Sequence, residues 1–239
     1  MAATQTLPNP GCVLKVGDGR GFLIEYRAHI QPMAFPRKRR LRLKTFSERR
    51  LVVTAAHCLP QLPPAHGAAH YWERTYKGLL GSLDGSKKDV WAECLFVDPV
   101  ADIAILDCPD EQELDEHADA YHALIDSAPA LRIGHVRTGC GWVLTLDGHW
   151  VRTTLYVFSG MYRTSLSIGP TKAGMSGSPI LNEAGRAVGV VTLGEETVNS
   201  TGERQEEERQ GPQAILAHNL PGWLLNAAHP HARFPHVGR

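Results

Sequence analysis

The stretch "TKAGMSGSPILNEAGRAVGVVTL" (171–193) decides how the rest of the chain is read. Ser176 is flanked by Gly174 and Gly177, and a strand-like apolar pattern follows at once. A serine hydroxyl is a poor nucleophile unless a base takes its proton and a third group orients that base. Two other segments supply those groups. "RLVVTAAHCL" (50–59) runs from an apolar strand through small residues to His57, and "VADIAILDC" (100–108) places Asp102 at the head of a second apolar strand. An imidazole suits the base because its ordinary pKa, about 6.5, lies close to working pH. A carboxylate ahead of "IAIL" is desolvated unless paired, the condition that holds one imidazole tautomer. Of its neighbours, Asp98 precedes Pro99 and reads as a turn residue, and Asp107 ends the run, where a solvent-facing side chain is expected.

The remaining sequence is mostly β in character. Short apolar and β-branched runs recur between turn signals: "GFLIEY" (21–26), "VWAECLFV" (90–97), "GWVLTL" (141–146), "WVRTTLYVFSG" (150–160), "SLSIG" (165–169) and "QAIL" (213–216). Helical signal is confined to "DEQELDEHADAYHALI" (110–125), a helical or looped linker, and to "LPGWLLNAA" (220–228), a short closing helix with Pro221 near its start. This divides the chain into strand sets at 11–110 and 126–218, a linker at 111–125, and a closing helix and tail at 219–239. Lys plus Arg and Asp plus Glu are balanced at 25 each, so no global field selects nucleic acid or a membrane surface. No apolar run approaches the roughly 20 residues that span a bilayer. The opening "MAATQTLPNPGC" lacks the features of a signal peptide. The five cysteines (Cys12, Cys58, Cys94, Cys108 and Cys140) include no CxxC pair. These features lead to an expectation of reduced thiols in a cytoplasmic protein.

"TAAHC", "DIAIL" and "GMSGSP", in that order, resemble the trypsin/chymotrypsin superfamily, and within it the bacterial trypsin-like and HtrA-type peptidases. The resemblance spans roughly residues 11–228. It implies an all-β fold of two six-stranded antiparallel barrels, with the site in the crevice between them. It implies His57 as general base, Asp102 as the orienting acid and Ser176 as nucleophile, with the backbone N–H groups of Gly174 and Ser176 as the oxyanion hole. By motif match, substrate contacts fall to Pro170 and Thr171 before the oxyanion turn, and to Thr192, Leu193 and Gly194 on the substrate-pairing strand. No Asp or Glu lies in "IGPTKAG" (168–174), so a small to medium apolar residue is expected before the scissile bond. No cofactor or metal is implied.

Three departures from the family pattern bear on regulation. Met175 stands where zymogen-type members carry an acid, so activation by a cut N-terminus is not expected. Cys58 follows His57, but residues 13–57 hold no cysteine for the bridge that secreted members form. Only about ten residues follow the expected closing helix, so the PDZ domain of HtrA-type members is not expected. Two charge runs are candidate regulators of access: "RKRRLRLKTFSERR" (37–50), read as a solvated hairpin or a docking patch, and the acidic loop "EETVNSTGERQEEERQ" (195–210). His229, His231 and His236 fall in a Pro-rich tail. The expected function is a serine endopeptidase of narrow specificity, with a protein or peptide substrate and a regulatory protein partner. The alternatives are a catalytically silent relative that uses the cleft for binding, and an esterase with the same triad.

Overall fold

β-Branched and aliphatic residues dominate the strands because they fill a pleated surface covered on both sides. Val52 and Val53 of one strand and Ile103 to Leu106 of its neighbour are fully buried. We describe residues 7–29, 46–65, 70–110, 113–158, 161–165, 172–192, 197–198, 204–205, 214–222 and 224–225 of a computed structural model. In chain order the first strands are β1 (Val13–Val16), β2 (Gly19–His29), β3 (Phe46–Thr54), β4 (Thr75–Ser82), β5 (Val90–Asp98) and β6 (Ile103–Asp107). They close into one barrel in the order β1-β2-β3-β6-β5-β4. All pairs are antiparallel, with Val53 opposite Ile105 and Thr54 opposite Ala104 where β3 meets β6. That register brings the ends that carry the His57 and Asp102 segments together.

A one-turn helix, α1 (Tyr71–Arg74), leads into β4, and α2 (Asp115–Ile125) follows the barrel. The 110–125 segment is therefore helical over most of its length. Its apolar side, with Ala118, Tyr121, Leu124 and Ile125, is buried. The Tyr121 hydroxyl donates to the Arg50 carbonyl, and the Arg50 Nη1 donates to the Ile125 and Ala128 carbonyls, which fixes the helix on β3. The chain then bridges the two halves. Leu131 N–H donates to the Leu23 carbonyl, and Gly134 N–H to the Ala187 carbonyl.

The second half holds β7 (Gly139–Leu144), β8 (Trp150–Phe158), β9 (Met161–Ser165), β10 (Pro179–Asn182) and β11 (Ala187–Val190). They form a five-stranded sheet in the order β11-β10-β7-β8-β9, with β12 (Thr197–Val198) and β13 (Arg204–Gln205) as a separate ribbon. In place of the expected second closed barrel, the described residues give this sheet and ribbon. A continuous apolar core runs from the barrel through Leu131 and Ile133 to Leu144, Leu181, Ala187 and Val190, and on to Leu216, Leu220 and Leu224.

Several sequence expectations are corrected or bounded. Residues 213–216 were expected to form a strand, but Leu216 begins helix α3 (Leu216–Asn219), where Ile215 N–H is capped by the Asn219 side chain. Helical structure thus starts ahead of the expected 220–228 and reappears at Gly222, Leu224 and Leu225. Asp107 is buried, not solvent-facing, and its Oδ1 accepts the Cys108 N–H at 2.8 Å. Of the basic run, residues 46–50 belong to β3; of "SLSIG", Ser165 ends β9; of the acidic loop, 197–198 and 204–205 form the ribbon. The rest of these segments, and the histidine tail, lie outside the described residues.

Candidate active site

After β3, Ala56–Cys58 make one tight turn that presents His57 at the barrel's rim, 42% exposed. Asp102 immediately precedes β6 and adopts φ +52°, a left-handed conformation costly for a side-chain-bearing residue. That conformation lets one residue serve the turn three times. Its carbonyl accepts Ala56 N–H (3.2 Å), its Oδ1 accepts His57 N–H (3.0 Å), and its Oδ2 accepts the ring Nδ1–H of His57 (2.7 Å). The carboxylate therefore fixes both the backbone and the ring of His57 and leaves Nε2 as the lone-pair nitrogen. The hydrogen bond that the ring donates to Asp102 raises the His57 pKa, partly opposed by burial and helped by the charge of Asp102. Asp98 plays the turn role read from the sequence, its Oδ1 accepting Val100 and Ala101 N–H groups.

The segment around Ser176 is a succession of tight turns. Met175 N–H donates to Lys172 O, Ser178 N–H to Met175 O, and Gly177 N–H to Val191 O. Gly174 and Gly177 supply the positive φ values these turns need, +89° and +82°. At Gly177 the constraint is absolute, since an added Cβ would lie 1.7 Å from the Arg20 carbonyl oxygen. Gly19 is equally confined, between Cys58 Sγ and the Ser176 carbonyl. Met175 is buried among Val143, Leu155, Ile180, Val188, Val191 and Ile215, and its Sδ accepts Lys172 N–H. An apolar anchor thus holds this turn.

Two features concern reactivity directly. Among the described residues, the N–H groups of Gly174 and Ser176 donate to nothing, so both are available to an incoming anion. The Ser176 hydroxyl is buried and has no hydrogen-bond partner, so its bond to His57 is not made here. Thr192 is partly buried just beyond β11. Pro170, Thr171, Leu193 and Gly194, expected to contact substrate, lie outside the described residues. Sequence reasoning missed Arg20, whose backbone N–H donates to the Ser176 carbonyl at 2.7 Å; an arginine within a glycine-rich strand start carries no motif signal.

Residues 45–190 match the family described as "Trypsin-like peptidase domain", a span that includes His57, Asp102 and Ser176. The chain belongs to that family. Among solved structures it is similar to the Rv3671c protease in an inactive form, at 18% identity and a TM-score of 0.37, covering 79% of this chain and 86% of that one. It is also similar to an inactive form of a serine-to-alanine mutant of Rv3671c from M. tuberculosis H37Rv, at 18% identity and a TM-score of 0.40, covering 78% and 77%. No curated protein matches the chain.

Proposed function

We propose that the protein is a serine endopeptidase in which His57, Asp102 and Ser176 act as a triad. What supports this reading is the three-point grip of Asp102 on the His57 turn, together with a nucleophile turn whose Gly174 and Ser176 N–H groups donate to nothing among the described residues. On substrate binding, Ser176 Oγ turns to His57 Nε2, as such bonds often tighten only in the complex. Nε2 takes the hydroxyl proton as Oγ bonds to the scissile carbonyl carbon. The oxyanion is held by the Gly174 and Ser176 N–H groups, each worth about 3 kcal/mol in the transition state. Collapse breaks the C–N bond, the proton passes from His57 to the departing amine, and water later hydrolyses the acyl-enzyme by the same route.

Under this reading Pro170, Thr171, Thr192, Leu193 and Gly194 line the substrate cleft. The residue before the cut is small to medium and apolar, with Ala, Val, Leu or Met in modest preference. The second half, within 126–218, completes a barrel, and the two barrels flank the 111–125 linker. A reducing, cytoplasmic setting agrees with five unbridged cysteines, three of them buried. Access is restrained by segment 37–50 or 195–210 or by a protein partner, which accounts for narrow specificity without a zymogen ion pair.

One observation favours the alternative of a silent, binding-only cleft: the buried, unpartnered Ser176 hydroxyl. A fluorophosphonate probe decides between them. Labelling of the wild type that is lost in Ser176→Ala supports the peptidase; no labelling in either supports the binding module. Cleavage of a peptide library, against ester substrates alone, then separates peptidase from esterase.

A further inference from the structure

One residue outside the triad ties both halves of the molecule to the nucleophile turn, through its side chain on one side and its backbone on the other. Arg20, the second residue of β2, is only 6% exposed. Its Nη1 donates to the Thr145 carbonyl (2.9 Å) and its Nη2 to the Leu146 carbonyl (3.1 Å), both in the β7–β8 turn. The Thr145 carbonyl also accepts Gly148 N–H, so the guanidinium closes on the turn's own hydrogen bond. The backbone of Arg20 faces the other way. Its N–H donates to the Ser176 carbonyl, and its carbonyl accepts the Thr54 hydroxyl at 2.7 Å and sits against Gly177. The ring of contacts closes through Leu146, which is 44% exposed and whose Cδ2 would stand 3.5 Å from a Cβ at Gly174.

Among the described residues no carboxylate forms an ion pair with this guanidinium; Asp147, in the same turn, supplies only a nearby charge. Burying a cation on such terms is costly, and an apolar side chain of similar length would fill the same space more cheaply. What an apolar side chain cannot do is bind two successive carbonyls through a rigid planar fork. The arginine therefore contributes direction and register, not bulk.

We propose that Arg20 is a positioning residue: by clamping the β7–β8 turn to the nucleophile turn, it sets where the Gly174 N–H and the Ser176 hydroxyl stand during acylation. Only its kinetic consequence rests on the peptidase reading; the clamp itself does not. The test compares wild type, Arg20→Met and Arg20→Lys by hydrogen–deuterium exchange and by kinetics. In Arg20→Met, amides of 145–149 and of 174–178 exchange faster together, while those of β3 and β6 at 52–54 and 104–106 are unchanged. kcat falls about 10- to 100-fold, the usual penalty of a small misplacement, with KM within about twofold. Arg20→Lys, which keeps the charge and one donor direction, recovers part of both. The proposal is overturned if only one segment loosens, if neither does, or if kcat falls merely in step with a lower Tm and general exchange. Should Arg20→Met not fold, Arg20→Lys is judged by the same paired-segment criterion. A wild type that never labels with fluorophosphonate sinks the peptidase reading, and the exchange result still decides the clamp.

Discussion

Replacing Asp102 with Asn tests the proposed base most sharply, because the structure dictates how the amide must sit. Oδ1 accepts the backbone N–H of His57, so an asparagine places its oxygen there and turns its NH2 towards the ring. The Nδ1 atom, which donates at 2.7 Å in the wild type, must then accept. The proton moves to Nε2, the nitrogen that has to receive the Ser176 proton. Recovering the productive tautomer means either facing N–H against N–H at the ring or rotating the amide and losing the backbone bond. Either choice sets one donor against another and leaves both unsatisfied, which at about 1–3 kcal/mol each gives roughly 2–6 kcal/mol. That is about 30-fold to 10⁴-fold in rate. Loss of the negative charge that stabilises the imidazolium places the expected result at the upper end. Asparagine tolerates the +52° φ of this position, so Tm should barely change. The assay is the second-order rate of fluorophosphonate labelling at mildly alkaline pH, with Tm as control. A folded variant that labels within about threefold of wild type would refute the orienting role.

Three further outcomes are expected. Because Asp102 raises the His57 pKa and the base acts only when neutral, kcat/KM rises with pH through a value above 6.5, and this limb moves down in Asp102→Asn. By the same linkage, any folding stability from His57 is complete below its unfolded pKa and is lost as pH climbs through the raised one; NMR titration of the ring measures both. Gly177→Ala drives a Cβ to 1.7 Å from the Arg20 carbonyl at φ +82°, so chemical denaturation should register a loss of about 3 kcal/mol or more, and a change under about 1 kcal/mol would contradict the packing. Burial pushes the thiols of Cys12 up to about 12 and of Cys94 up to about 11 and raises Cys58, so iodoacetamide in the native state should modify the partly exposed Cys108 and Cys140 first, as read by peptide mass mapping; early labelling of Cys12 would count against the core assignment.

Among the barrel strands, β2, β3 and β6 were legible because burial on both faces leaves a continuous apolar run, and β5 because buried Val90, Ala92 and Cys94 alternate with half-buried neighbours. β1 and β4 were not. β4 carries Gly78 at φ +63° opposite Asp89 at φ +57°, and its register shifts between Tyr76 and Leu80, so no alternation survives to be read. The three chemistry-bearing positions could be read from their order beside apolar strands. The left-handed backbone of Asp102 could not, because nothing in "ADIAI" demands it; it follows from the three hydrogen bonds that the His57 turn imposes. Asp107 misled because it sits at the edge of an apolar run, while the amide of Cys108 meets part of its hydrogen-bonding need inside. That the Ser176 hydroxyl stands buried without a hydrogen-bond partner is likewise nothing a sequence pattern encodes.

The closed barrel draws all six strands from one uninterrupted stretch, Val13 to Asp107. During synthesis it can close while the remainder is still being made, since chains fold N-terminal units first. His57 and Asp102 are then already gripped. Ser176 is different: its carbonyl docks on the amide of Arg20, laid down near the start, and the Pro8 carbonyl likewise waits for the Trp150 indole. On the peptidase reading proposed above, a partly translated chain therefore owns a base with nothing to activate. Cutting power then arrives in a single late step, when the second half settles, and a nascent copy emerging among the contents of a polysome is harmless to itself and to its neighbours.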